Sequence, residues 1–167
     1  MTDSPFEPRY ASKPFLMDRL VDPFATGELT RAGANGRRIF DEHDYFSSVM
    51  LNLSWLFNTT VPNDVLDTRF SQVPSSVVAF GIPELSSLSS KQIIDGTLAR
   101  NIKLAVDRFE PRLRAQTVIV TIGPNERNSS SVSVVVRGTL WMLPQSQPIA
   151  IRSDYIQPQA RWMVRDE

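Results

Sequence analysis

The chain has 167 residues, a length that fits one domain with a sizeable hydrophobic core. Its 18 basic residues balance 18 acidic ones, so no overall electrostatic field attracts DNA, RNA or an anionic membrane. Cysteine is absent and His43 is the only histidine, which excludes disulfides, thiolate nucleophiles, zinc-thiolate sites and any metal site built on two histidines. We therefore expect a cytoplasmic protein that holds neither a metal nor a cofactor.

The N-terminal region predicts little regular structure. Residues 1–13 are rich in proline and polar side chains and predict a flexible tail, and residues 14–167 are expected to form a single domain. The tail has the pattern of neither a signal peptide nor a transmembrane span, and no later apolar run is long enough to insert into a membrane. A short helix is predicted to end at Pro23, with apolar residues at near-helical spacing: Phe15, Leu16, Leu20 and Val21. Residues 25–43 are predicted to be a linker or a long loop.

A longer helix is predicted from Asp44, a residue type that favours the N-cap, to about Asn58. Trp55 lies beside its apolar stripe, so it is either a core anchor or a partner-binding residue. The stripe recurs at intervals of three and four residues and consists of Phe46, Val49, Leu53, Leu56 and Phe57.

A further helix is predicted to begin after Ser89 and to end at Phe109. Ser89 and Gln92 have the spacing of a capping box, and an apolar stripe runs from Ile94 to Phe109. Gly96 would lie inside this helix, where glycine suggests a close approach by another backbone.

Glu110-Pro111-Arg112 ends that helix with an acid and a base on either side of a proline. Proline disfavours helical geometry at the residue before it, and its ring stiffens the corner. We therefore expect Glu110 and Arg112 to be displayed on the surface. The surrounding sequence has a local excess of three positive charges, which suggests either a solvated helix face or a surface for an acidic partner. The basic residues of this region are Arg100, Lys103, Arg108, Arg112 and Arg114.

After Arg114 the apolar period changes from about 3.6 residues to 2, which predicts strands at 117–122, 131–142 and 149–156. The first two are predicted to form an antiparallel hairpin with a long serine-rich tip. The third is predicted to be an edge strand, where the backbone of Ile151 or Ser153 could pair with a partner. Helices followed by about three antiparallel strands indicate an α+β fold.

The order of these segments resembles the TssE family of type VI secretion baseplates and its relatives in contractile-tail phage baseplates, a family sometimes labelled lysozyme-like. The resemblance runs from about Leu16 to the last strand and is carried by LMDRL at 16–20, SWLFNT at 54–59 and FEPRL at 109–113. Asn52 and Ser54 stand where members often have acidic residues. Any salt bridge that members of the family make from these two positions is therefore lost or moved in this chain.

The resemblance implies a structural subunit of a cytoplasmic baseplate, docked at the inner face of the cell envelope. Such a subunit binds other wedge subunits, forms a platform for the contractile sheath and performs no chemistry. The family's corner glutamate and arginine, here Glu110 and Arg112, would contact neighbouring subunits. We expect Pro111 and Arg108 beside them to take part in the same contact.

Two rival functions fit the sequence less well. A muramidase needs two carboxylates that flank one sugar, and Glu84 and Glu110 are the candidates, but no convincing acid and base pair is evident. A nucleic-acid-binding module lacks both a basic balance and a known motif. We therefore predict a protein without catalytic residues.

Overall fold

The computed structural model describes residues 42–61, 70–84, 96–125, 128–141, 146–156 and 159–167. The chain divides into two compact units, Met1–Ser48 and Val49–Glu167, and of the first unit only residues 42–48 are described. The predicted tail, the helix ending at Pro23 and the capping box at Ser89 lie outside the described residues. These interpretations and the single-domain boundary stay predictions.

Helix α1 spans Glu42–Asn58 and confirms the predicted tryptophan helix. It begins before Asp44, so this aspartate lies in the first turn, where it and Glu42 complement the helix dipole, and does not cap the helix. The predicted stripe is buried at four positions: Val49, Leu53, Leu56 and Phe57.

The segment that follows α1 is joined to a second irregular segment by a short parallel bridge between Thr60 and Ile82. The Val61 N–H donates to the Ile82 carbonyl at 3.0 Å, and the Ile82 N–H donates to the Thr59 carbonyl at 2.9 Å. Gly81 has φ +136°, and a Cβ there would lie 2.4 Å from the Thr59 carbonyl oxygen. The bridge therefore requires glycine at position 81.

Helix α2 spans Thr97–Phe109, so it confirms the predicted end and corrects the role of Gly96. Gly96 is the N-cap residue with φ +81°, and a Cβ there would meet nothing within 4 Å. Glycine is favoured at this position because of its left-handed backbone, and none of the described backbone approaches it closely. The inward face of α2 consists of Leu98, Ile102, Ala105 and Val106. Burial of each large aliphatic side chain stabilises the fold by about 1.5 to 3 kcal/mol.

The sheet has four antiparallel strands in the order β1-β2-β3-β4. Their bounds are β1 Ile119–Asn125, β2 Asn128–Leu140, β3 Gln147–Ile156 and β4 Arg161–Asp166. The α+β prediction is confirmed, with four strands in place of about three. Pairing between β1 and β2 continues to Asn125 and Asn128, so the serine-rich stretch belongs to β2 and does not form a long hairpin tip.

The additional strand changes the position of β3. The sequence predicted β3 as an edge, but it pairs with β2 on one side and with β4 on the other. Ile151 pairs with both Val136 and Asp166, and Ser153 pairs with both Val134 and Val164. The prediction of an open edge at Ile151 and Ser153 is therefore wrong, and the outer strands of the sheet are β1 and β4.

One face of the sheet is covered by the helices of the second unit. Val134, Val136 and Ile151 are fully buried on this face. Helix α2 packs closely on β1, and the ring of Phe57 in α1 lies 6.0 Å from that of Trp162 in β4. The core therefore lies between one face of the sheet and the helices.

Candidate functional site

The Glu-Pro-Arg corner begins where helix α2 ends. Glu110 is the C-cap residue with φ −123° and ψ 74°, and its N–H makes the last helical hydrogen bond, to the carbonyl of Val106. Pro111 follows, and a proline forces the residue before it out of the helical region. The predicted end of the helix is therefore confirmed together with its cause.

Glu110 and Arg112 form a bidentate ion pair across this proline. The Arg112 Nε donates to the Glu110 Oε1 at 2.5 Å, and a terminal guanidinium nitrogen donates to the Oε2 at 2.6 Å. The Arg112 backbone N–H also points to Oε1, at 3.3 Å. Glu110 is 0% exposed and Arg112 is 6% exposed. A planar guanidinium fits a carboxylate in this geometry, which is why the pair is held so tightly.

Asn52 of helix α1 is the other partner of this corner. Its side-chain amide donates to the Glu110 Oε2 at 2.8 Å and to the Phe109 carbonyl at 3.1 Å. The sequence showed that Asn52 stands where family members often have an acidic residue, but it did not predict the contact with Glu110. The neutral Asn52 amide donates a hydrogen bond to the Glu110 carboxylate, whereas an acidic side chain at this position would repel that carboxylate.

The carbonyl groups of the corner hold the end of β2. The indole N–H of Trp141 donates to the Pro111 carbonyl at 2.7 Å, and the Trp141 backbone N–H donates to the Arg112 carbonyl at 3.2 Å. The Arg114 N–H donates to the Thr139 carbonyl at 2.9 Å. The corner thus connects helix α1, helix α2 and the sheet.

These contacts correct the expected exposure of the corner. Glu110 and Arg112 were expected on the surface, and both are buried because each satisfies the charge of the other. What the corner exposes is Pro111, Arg108 on the last turn of α2, and Trp141, which is 44% exposed. A contact of Glu110 or Arg112 with another subunit stays a prediction.

The remaining predicted site residues lie apart from the corner or in the core. Trp55 is 36% exposed, so its indole is available at the surface of α1. Ile151 and Ser153 are both 0% exposed in the middle of the sheet. Their side chains contribute to the core and do not form a surface.

Three arginines account for the predicted positive excess. Lys103 pairs with Asp107, with nitrogen and oxygen 2.7 Å apart, and Arg112 is used by Glu110. In the described part of the chain no carboxylate pairs with the remaining bases, which are all exposed: Arg100, Arg108 and Arg114. The Arg100 guanidinium donates to the neutral Thr97 hydroxyl at 3.0 Å.

The outer edge of β4 is partly closed by a side chain. Asn58 at the end of α1 accepts from the Trp162 N–H at 2.8 Å and donates to the Trp162 carbonyl at 3.0 Å. The Asn58 side-chain amide thus makes the two hydrogen bonds that the backbone of a neighbouring strand would otherwise make. Trp162 lies beyond the last strand that the sequence predicted, at 149–156, and is a 5% exposed residue of β4, with its ring 5.2 Å from that of Tyr155.

The sequence model of the family described as baseplate wedge protein gp25 matches residues 43–145. The chain belongs to this family. The match covers more than half of the chain and includes helix α1, helix α2, the Glu-Pro-Arg corner, and strands β1 and β2. The resemblance to TssE is thereby confirmed, because TssE is the type VI homologue of gp25. Membership identifies a phage-tail-like structural component that associates with other baseplate components.

No curated protein and no solved structure matches the chain. Among the described residues of this gp25-family chain, no helix is long and apolar enough to cross a membrane. The same residues contain no group of three or more His, Cys, Asp or Glu side chains suited to a metal ion.

Proposed function

We propose that this protein is a structural baseplate subunit of a contractile injection machine of the type VI secretion class, which binds other wedge subunits and templates sheath assembly. The gp25-family match over residues 43–145 carries the proposal. The machine would work from the cytoplasm, with its baseplate docked at the inner face of the envelope and without insertion of this chain into the membrane.

Affinity capture of the tagged full chain from cells that assemble the machine tests this function. Recovery of both wedge subunits and sheath subunits is expected. In cells that lack the sheath gene the wedge subunits should still be recovered, because the wedge forms before the sheath in this proposal. Recovery of neither class from assembling cells would contradict the function.

The corner contributes to wedge binding through its shape. Because Glu110 and Arg112 are buried against each other, they would act on a partner by holding Pro111, Arg108 and Trp141 at the surface. Trp55 offers a separate exposed aromatic side chain of the kind enriched in interface hot spots. Trp55→Ala should therefore weaken recovery of wedge subunits while the chain remains folded, as judged by circular dichroism.

Sheath templating is assigned to the edge of β4. The Trp162 N–H and carbonyl point away from β3, toward Asn58. In an antiparallel strand the backbone groups of every second residue point to the same side, so the N–H and carbonyl of Val164 also point away from β3. Because Asn58 already occupies the Trp162 groups, an extended arm of a sheath subunit would pair with the Val164 groups by β-augmentation.

Proline substitutions can test the outer strand β4 separately from the central strand β3. Val164→Pro removes an outward N–H and should abolish fluorescent sheath filaments while wedge binding persists. Ile151→Pro removes an N–H in a central strand and should unfold the chain. Normal filaments with a folded Val164→Pro variant would exclude β4 as the template.

We further propose that the protein performs no chemistry. Both oxygens of Glu110 accept hydrogen bonds within the fold, and Glu84 is exposed, so the two muramidase candidates lie in unsuitable settings. A peptidoglycan suspension should keep its turbidity with the purified protein. Clearing that is lost in Glu84→Gln or Glu110→Gln would favour the hydrolase.

A further inference from the structure

An apolar groove runs between helix α2 and the irregular segment that contains Gly81. One wall is formed by Ala79, Gly81 and Pro83, and the other by Leu104, Ala105 and Arg108. Every one of these residues belongs to the second compact unit. The groove is separate from the buried ion pair and from both edges of the sheet.

The segment wall of the groove is held rigidly. Gly81 lies so close to the Thr59 carbonyl that no side chain fits, and the Thr60–Ile82 bridge fixes the backbone on either side. The rings of Phe80 and Phe109 meet edge to face with centroids 5.3 Å apart, which connects the two walls. A preformed groove loses little conformational entropy when a partner binds.

The helix wall has the spacing of a helix-packing seam. Asn101, Leu104, Ala105 and Arg108 lie at positions i, i+3, i+4 and i+7, which share one face of an α-helix. Ala105 is 6% exposed and forms part of the floor of the groove beside the exposed Leu104. Such a seam normally packs against the apolar stripe of a partner helix.

The surroundings of the groove are unusually apolar for a surface. Val77 is 82% exposed and Val78 is 65% exposed, immediately before Ala79, and Leu104 on the opposite wall is 49% exposed. Grouped exposed aliphatic side chains mark interaction sites on soluble domains.

The helix side of the groove carries positive charge. Arg108 lines the groove, and Arg100 lies two turns before it on the same helix. Neither pairs with a carboxylate in the described part of the chain, whereas Lys103 and Arg112 are neutralised internally. The groove therefore combines an apolar floor with positive charge along its helix side.

We infer that this groove binds an acidic amphipathic helix of another baseplate subunit, with its apolar stripe against Leu104 and Ala105 and its carboxylates toward Arg108 and Arg100. Apolar burial would supply the affinity and the charges would supply orientation. A nucleic acid would use the arginines but would leave Val77, Val78 and Leu104 exposed to water. The inference rests on the proposed baseplate function and adds the binding surface and the chemistry of its partner.

Photo-crosslinking in assembling cells tests the inference. A photoreactive phenylalanine analogue is placed at Leu104 in the full chain, and at Ile119, which is 62% exposed on β1, as the control. Mass spectrometry then identifies the segment joined to each position. The Leu104 product is expected to contain acidic residues and apolar residues at spacings of three and four. No product above the Ile119 control, or a product segment that is basic, extended or a nucleic acid, would overturn the inference.

Charge reversal provides the second arm. Arg108→Glu in the Leu104 crosslinking chain should lower the product by about tenfold, and a Glu→Lys change in the crosslinked segment should restore it. Thermal unfolding should be unchanged, since Arg108 is exposed and has no ion-pair partner among the described residues. Reversal without loss of product would overturn the assigned charge contact.

Baseplate foci distinguish the two levels of the proposal. If the fluorescent wild-type chain forms no foci with wedge subunits, the proposed function fails. If foci form and Leu104 gives no product above the control, the function stands and only the groove assignment fails.

Discussion

The side chain of Arg112 closes back on that of Glu110 across Pro111, and two charge-assisted hydrogen bonds of 2.5 and 2.6 Å join them in a buried setting. Proline makes this geometry accessible because it directs the chain out of helix α2 while keeping the two residues close. The pair therefore stabilises the connection between the helices and the sheet, in addition to any effect on a partner.

Removal of one member of this pair should destabilise the isolated protein. Glu110→Ala or Arg112→Ala leaves the other charge buried without its partner, at a cost of about 3 to 5 kcal/mol. Urea unfolding followed by circular dichroism measures the loss. Arg137→Ala is the matched control, because Arg137 pairs with Glu167 at 2.7 Å with half of its side chain exposed, and such a pair contributes about 0 to 1 kcal/mol. Equal stability of Arg112→Ala and Arg137→Ala would contradict the structural role.

Asn52 should be sensitive to charge as well as to the loss of its hydrogen bonds. Asn52→Ala removes two donor contacts and should cost about 1 to 3 kcal/mol. Asn52→Asp should cost more, because a carboxylate would face the Glu110 carboxylate 2.8 Å from the present amide. Asn101→Ala on α2 serves as the control in the same unfolding measurement. An aspartate variant as stable as wild type would show that Glu110 does not depend on this donor.

Asn58 should control access to the edge of β4. In Asn58→Ala the Trp162 N–H and carbonyl lose their hydrogen bonds to the Asn58 side chain, so the Trp162 amide should exchange with solvent faster. Amides of β3 should keep their protection, because both neighbours of that strand remain. Hydrogen exchange measured by NMR checks this, and unchanged protection at Trp162 would be inconsistent with the assigned role.

Two glycines with positive φ should respond differently to alanine. Gly81→Ala brings a Cβ within 2.4 Å of the Thr59 carbonyl oxygen and should displace the groove wall. Gly96→Ala has φ +81° but meets no atom within 4 Å, so only left-handed strain of about 1 to 2 kcal/mol is expected. In thermal unfolding, Gly81→Ala should therefore have a much lower Tm than Gly96→Ala. The reverse order would contradict the tight packing at Thr59.

The sequence by itself determined the features that depend on neighbouring residues. The stripe of Val49, Leu53 and Leu56 predicted α1 because a helix repeats every 3.6 residues, and alternation around Val134 and Val136 predicted β2. Pro111 predicted the end of α2 for a stereochemical reason that needs no tertiary context.

Only the tertiary structure decided which charges are buried and which strand forms an edge. Asn52 and Glu110 are 58 residues apart, and Asn58 and Trp162 are 104 residues apart, so no local period brings either pair together. The strand Arg161–Asp166 alternates weakly and gains its stability from β3, Asn58 and the ring of Phe57. Long-range packing thus turned an expected surface ion pair into a core contact and an expected edge into a central strand, because burial depends on what the rest of the chain places nearby.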